Sequence, residues 1–258
     1  MKYAEMTSPQ LASVDRDQTV VVVPIAAVEQ HGPHMPTGTD TLICTAVAEG
    51  LESQLPTQVL VTPTFWLGAS AHHLRFGATL DADLLLHIQA LENIGQCLLD
   101  DGFMRLLFVN GHGGNVDPLK VALRRLQVRQ PDALLVGGSY WDVGQQVMEE
   151  TLEGDHKSVG HACEFETSLM LHLHPHLVDQ SQVRNAGPLV TDRIDNLFVS
   201  RDMRQRTREG CTGFPELATA EKGSKLFEGI VLRLHETVQR LLSEPLGTEF
   251  TDWFTADA

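Results

Sequence analysis

The sequence predicts an α/β fold with a largely parallel sheet beneath helices on both faces. Short β-branched apolar runs recur along the chain, and longer segments of helical periodicity separate them. The length of 258 residues, with 42% hydrophobic and 21% charged residues, suits one large domain over 1–258 with a sizeable core.

Thr19–Pro24 contains four consecutive valines, which reads as a strand buried on both faces because no polar alternation marks a wet side. Thr39 to Gln54 reads as a helix. Thr39 is its expected N-cap, Leu42, Ala46 and Val47 fall at helical spacing, and Pro56 lies beyond its end. Gln58–Thr62 is a second strand. Asp83–Asp100 is an amphipathic helix carrying Leu84, Ile88, Leu91 and Leu98, and Gly102 stands where a left-handed residue is expected to close it. Met104–Val109 is a third strand, followed by the loop Asn110–Asn115, a helix through about Val128 and a strand at Ala133–Val136. A helical stretch follows His161, and a long helix covers Ala218–Leu242. Gln180–Pro215 has weak periodicity and is expected to be a long loop or a subunit contact.

Nineteen Lys and Arg against 34 Asp and Glu give a net charge of −15, so a nucleic-acid backbone is repelled rather than held. The local exception, Arg201, Arg204, Arg206 and Arg208, lies among polar residues and reads as a solvated loop rather than an anion site. The longest apolar run, Val20–Val28, contains Pro24 and is far shorter than the ~20 residues that cross a bilayer. The first residues lack the apolar segment of a secretory signal, and Cys44, Cys97, Cys163 and Cys211 never form C-x-x-C. Reduced thiols and a cytoplasmic location are therefore expected.

Three segments carry residues suited to chemistry. Glu29-Gln-His31-Gly-Pro-His34 follows the first strand, and the Gly- and Pro-rich turn after it lets Asp40 swing back toward them. Carboxylate with imidazole suits Zn²⁺, Mn²⁺ or Fe²⁺ rather than Ca²⁺, although a polar loop with a capping Asp has the same composition. His112 sits in the Gly-rich loop after the third strand, where a lone histidine also has a structural reading. On a helix begun at His161, residues His161, Glu164 and Ser168 share one face while Glu166 points well round from them. His161 is thus a candidate proton donor and Glu164 a candidate ligand or base; for Glu166, functional and structural roles stay open. The doublet His72-His73 invites attention, whereas His172, His174 and His176 read as surface and capping residues. Strand ends of one sheet converge in space, so these segments together point to a metal-dependent hydrolase.

Four motifs resemble the creatininase (creatinine amidohydrolase) family: Glu29-x-His31-Gly-x-His34-x-Pro36-x-x-Thr39-Asp40, Asn110-Gly-His-Gly-Gly-Asn115, His161-Ala-x-Glu164-x-Glu166-Thr-Ser, and Gly213-x-Pro-x-x-Ala218-Thr-x-Glu221-Lys-Gly223. They run in order over most of the chain. The resemblance implies a three-layer α/β/α domain, two divalent metal ions (Zn, Mn or Fe) and a homo-oligomer, usually a hexamer. By motif, Glu29 and His112 hold one metal, His31 the other, and Asp40 bridges both. Creatinine-hydrolysing members carry Tyr and Glu where this chain has Gly113 and Gly114, and that Glu is a ligand of the second metal. Glu164 is expected to replace it. The stretch His73-Leu-Arg-Phe76-Gly-Ala-Thr79 departs from the family's His-x-x-Phe-Pro-Gly-Thr, and Ser70, His73 and Gly113 are expected to touch substrate.

The expected activity is hydrolysis of a non-peptide C–N bond in a small-molecule cyclic amide, linear amide or formamide, with His161 protonating the leaving nitrogen. No nucleic-acid or membrane partner is expected. The alternatives are a creatinine amidohydrolase proper, a cysteine hydrolase using Cys163 beside His161, and a non-catalytic binding protein for a small ligand.

Overall fold

A run of valines belongs in the interior. In the computed structural model, which describes residues 1–247 apart from positions 156, 189, 191, 192 and 196, every residue of β1 (Val20–Ile25) is buried. β2 (Val59–Val61) lies parallel to it on one side and β3 (Arg105–Asn110) on the other; β4 (Leu134–Ser139) then extends β3, giving the order β2-β1-β3-β4. Among the described residues the helices are α1 (Ser8–Ala12), α2 (Thr39–Gln54), α3 (Leu84–Asp100), α4 (Val116–Arg129), α5 (Tyr140–Val143), α6 (Gln145–Thr151), α7 (Glu164–Leu173) and α8 (Ala220–Ser243).

The two-residue period of a strand divides the core between the two faces of the sheet. Val20, Val22, Leu107 and Val109 pack with Ile43 and Val47 of α2, Phe165 and Leu169 of α7, and Leu226 and Ile230 of α8. Val21, Val23, Ile25, Leu106 and Phe108 pack on the opposite face with Leu91 and Leu98 of α3 and Leu119 and Leu126 of α4. The result is the expected three-layer α/β/α arrangement. After β1 the chain passes through α2 on one face to β2, and after β2 through α3 on the other face to β3. The connections thus part between β1 and β3, which opens a crevice at the carboxyl ends of these two strands.

Local chemistry explains most boundaries. Asp83 caps α3 by accepting from the amides of Leu85 (2.9 Å) and Leu86 (3.3 Å). Gly102 closes it in the left-handed region at φ 88°. Thr39 is not a cap: α2 already begins at Thr39, after Gly38, and the Thr39 hydroxyl donates to Pro36 O at 2.7 Å. β4 runs to Ser139, beyond the expected Val136, because Gly137 lets Leu119, Leu123 and Phe108 close over it; a Cβ there would lie 2.9 Å from Leu123 Cδ1. Among its described residues, the segment 180–215 is loop and short turns with a small antiparallel ribbon, β5 (Arg193–Ile194) and β6 (Leu197–Phe198). His172 and His176 are exposed, as expected. Among the described residues no helix is long and apolar enough to cross a membrane.

α7 and α8 approach closely at Gly223, where a Cβ would lie 2.0 Å from Ser168 O. Backbone cannot yield as a side-chain tip can, so Gly223→Ala is expected to lower stability by ~1–3 kcal/mol. The check is a urea midpoint that falls at unchanged slope; an unchanged midpoint would mean that the helices can part freely.

Candidate metal centre

Each segment that follows a strand is pinned by backbone contacts. Asn110, the last residue of β3, accepts from His112 N (3.0 Å) and donates to His112 O (2.7 Å) and to Ser139 Oγ (3.0 Å), fixing the turn that carries His112. Asn115 donates to Ala26 O (3.0 Å) and accepts from Ala69 N (3.0 Å), tying the end of β1 to the loop beside Ser70. Asp40 lies in the first turn of α2, where the free amides favour a carboxylate.

Glu29, His31, Asp40 and His112 meet in this crevice, all buried. Three histidines there share one arrangement, with one ring nitrogen on a backbone carbonyl and the other turned toward carboxylates. His31 Nδ1 lies 3.1 Å from Glu29 O, His112 Nε2 3.1 Å from Ala69 O, and His161 Nε2 2.7 Å from Gln30 O. N–H donation to these carbonyls leaves the opposite nitrogens as electron-pair donors. His31 Nε2 is 3.0 Å from Asp40 Oδ1 and 3.7 Å from Glu166 Oε1. His112 Nδ1 is 3.1 Å from Asp40 Oδ2 and 3.3 Å from Glu29 Oε1, and His161 Nδ1 is 3.7 Å from Glu29 Oε1. A carbonyl that orients a histidine from behind is the usual support of a metal ligand.

Three sets, Glu29/His31/His161, Glu29/His72/His112 and His31/Asp40/Glu166, each bring ligand atoms within 4.8 Å of one another. Glu29 Oε2, His31 Nε2 and Asp40 Oδ2 are buried without a hydrogen-bond partner, as atoms directed at a cation would be. The residues present therefore fit divalent metal ions.

The electrostatics agree. Burial, followed by the charge of Asp40, raises the Glu29 pKa against the pull of His112. Burial opposes the charge on Asp40 as well, yet His31 and His112 hold its carboxyl below the usual range. For His31 and His112 burial also works against charge, but the carboxylates outweigh it and push both well above the ordinary histidine value. Positive charge must accompany these carboxylates, whether as protons on the rings or as cations in their place. His161 and His73 go the other way. Burial, then nearby histidine charge, holds both neutral.

Glu164 does not join the cluster. Its carboxylate accepts from Glu153 N (3.0 Å) and Gly154 N (2.9 Å) and pairs with Lys222 Nζ at 2.6 Å, so it clamps the loop before His161 onto α8. Glu166 stands near His31 instead. The expectation failed because it began the helix at His161. Ala162 takes a left-handed φ of 49°, Cys163 caps the helix, and α7 starts only at Glu164. The spacing from Cys163 to Glu166 is that of a capping box, the signal that would have placed this start.

His73 takes Gln30 Nε2 at 2.9 Å on Nδ1 and lies 3.3 Å from Glu29 Oε1 through Nε2, so it orients the carboxylate. Ser70 Oγ backs His112 Nε2 at 3.3 Å. Gly113 is exposed with open space around it. At Gly114 a Cβ would lie 2.1 Å from Ala69 O and 2.5 Å from His112 Nε2, so the Glu of creatinine-hydrolysing members has no room there. Sequence reading missed Gln30, whose side-chain amide donates to His73 Nδ1, and it singled out the doublet His72-His73 without placing His72, which stacks on His112 at 5.7 Å. Cys163 is fully buried. Its thiol is pushed up by burial and is directed at Glu166 Oε2 (3.7 Å), a capping contact unsuited to a nucleophile.

A family model described as "Creatininase: Creatinine amidohydrolase" matches residues 4–238. A mycofactocin precursor peptide peptidase of Mycobacterium ulcerans is 32% identical over 237 residues, covering 87% of this chain and 85% of its own. A creatinine amidohydrolase of Pseudomonas putida is 30% identical over 244 residues, covering 88% and 92%. A solved structure described as "Creatininase Mn" superposes with a TM-score of 0.81 at 26% identity, covering 94% of this chain and 99% of that one.

His34 donates to or accepts from Thr167 Oγ1 at 2.9 Å, and burial followed by the charges of His31 and Arg184 pushes its pKa from 6.5 down to about 4. Between those values the unfolded chain binds a proton that the folded chain refuses, so stability falls as pH drops through this window. His34→Gln is expected to flatten that part of the stability profile relative to the parent protein. Parallel profiles from pH-dependent urea titrations would show that His34 is not held neutral.

Proposed function

The chain is a creatininase-family amidohydrolase, and we propose that it cleaves a C–N bond of a small amide, cyclic amide or formamide at the cluster of Glu29, His31, Asp40, His112 and Glu166. The observation that carries this reading is the shared geometry of the histidines, each backed by a carbonyl and facing a buried carboxylate, with Glu29 Oε2 and Asp40 Oδ2 left unpartnered. Glu29, His112 and Asp40 Oδ2 would hold one divalent ion, and His31, Glu166 and Asp40 Oδ1 a second, with Asp40 shared. Imidazole with carboxylate suits Mn²⁺, Zn²⁺ or Fe²⁺. Such ions supply an activated water, with a pKa as low as about 7, and polarise a carbonyl oxygen.

The chain's own residues do the rest. His161 rests neutral with its Nε2–H on Gln30 O, so Nδ1 is free to take up a proton and return it to the departing nitrogen. Gln30 holds His161 through its backbone carbonyl and His73 through its side-chain amide, and His73 in turn orients Glu29. The space at Gly113, and the lack of room for a Glu at Gly114, favour a substrate other than creatinine. The same reading keeps the protein in the cytoplasm with reduced cysteines. It also places the protein in a homo-oligomer, for which the exposed Leu84, Leu85 and Leu86 of α3 offer an apolar face.

Chelation is expected to abolish turnover and Mn²⁺, Zn²⁺ or Fe²⁺ to restore it; full activity in metal-free protein would contradict the reading. Glu166→Gln should lower bound metal by about one ion per chain in elemental analysis, as loss of one carboxylate ligand implies. Glu164→Gln should keep the metal and instead lower stability by about 2–3 kcal/mol, because Lys222 loses its buried partner. Equal metal content in the two variants would refute this division of roles.

A further inference from the structure

The four arginines of the loop after residue 200 do not behave alike. Arg204 and Arg208 are exposed, as a solvated loop requires, and Arg204 lies over the Phe76 ring at 5.5 Å. Arg206 is half-buried. Its Nε is buried without a hydrogen-bond partner, and no carboxylate among the described residues pairs with its guanidinium. Elsewhere Arg75 pairs with Asp202, Arg184 with Glu209, and Arg125 and Arg129 with Glu92. Arg105, buried without a carboxylate, donates instead to the backbone carbonyls of Leu241, Asp17 and Glu244, whereas among the described residues no such contact holds the Arg206 guanidinium.

Its position says where that partner sits. Segment 202–213 wraps the metal cluster and is anchored at both ends. Asp202 holds Arg75 at 2.5 Å, and Met203 is buried. Further on, Gly210 presses on Gln30, where a Cβ would lie 2.2 Å from Oε1. Thr212 then brackets His161, its hydroxyl accepting from His161 N at 2.9 Å and its amide donating to His161 O at 2.8 Å. Arg206 falls between these anchors: it directly follows the turn Met203–Gln205, which packs against the turn Ala71–Phe76 that carries His72. His72 in turn stacks on His112 and shares a 4.8 Å set with it and Glu29.

We propose that Arg206 forms the anion-binding end of the substrate pocket, so that the amide hydrolysed here carries a carboxylate or phosphate group. This rests on the amidohydrolase reading above. A guanidinium presents a planar fork that matches two oxygens of either group, and partial burial strengthens the contact.

The test uses the metal-loaded chain and three probes: N-formylglycine, 2-(formylamino)ethyl phosphate and the neutral N-formylglycinamide. Binding is read by calorimetry and hydrolysis by formate release. The parent protein is expected to bind at least one anionic probe about 10–100-fold more tightly than the neutral one, and the preferred probe identifies carboxylate or phosphate. Arg206→Gln should abolish that preference, Arg206→Lys should retain part of it, and Arg208→Gln, at an exposed neighbour, should leave it intact. Equal or undetectable binding of all three probes by the parent protein, or an undiminished preference in Arg206→Gln, would overturn the proposal. An Arg206-dependent preference without hydrolysis of any probe would support the anion site and count against the amidohydrolase reading. Hydrolysis without anion preference would do the reverse.

Discussion

Burying Glu29, Asp40 and Glu166 in one space is the constraint on which the site depends. Isolated carboxylates cannot be taken from water without compensation, and their mutual repulsion grows as the dielectric falls. Compensation comes from imidazoles aimed at them and from cations that the same oxygens can bind. Asp40 is central, since its two oxygens face different histidines, His31 and His112. Any rearrangement that moved Asp40 would leave both halves of the cluster short of a ligand.

The fold meets this constraint by topology. The connections from β1 and β2 leave the sheet on opposite faces, so the crevice between the ends of β1 and β3 stays open. The residues after β1 deliver Glu29 and His31, the start of α2 delivers Asp40, and the turn after β3 delivers His112. Asn110 and Asn115 replace regular ladder contacts in those turns with side-chain hydrogen bonds, which makes irregular backbone rigid. From the far side, Thr212 and Gly210 bring the long loop against His161 and Gln30.

The parts of this arrangement visible in the sequence are those set by local pattern. Four valines in a row have only a buried strand as a plausible home, and polar residues directly after such strands lie at the sheet's carboxyl edge. Glu29, His31, Asp40 and His112 were legible for that reason. Glu164 was misread because one left-handed residue, Ala162, puts His161 outside the helix and removes the shared face that linked the two. Gln30 and His72 act through contacts with residues more than forty positions away or with neighbouring rings, which no local period encodes. Arg206 was hidden among three other arginines, and only the anchoring of its loop distinguishes it.

The central claim is that two divalent ions share Asp40. Crystals of metal-loaded protein measured at the absorption edge of the bound metal test it directly. Two anomalous peaks are predicted, one among Glu29, Asp40 and His112 and the other among His31, Asp40 and Glu166. No anomalous peak within coordination distance of Asp40, in crystals whose protein carries metal elsewhere, would contradict the account.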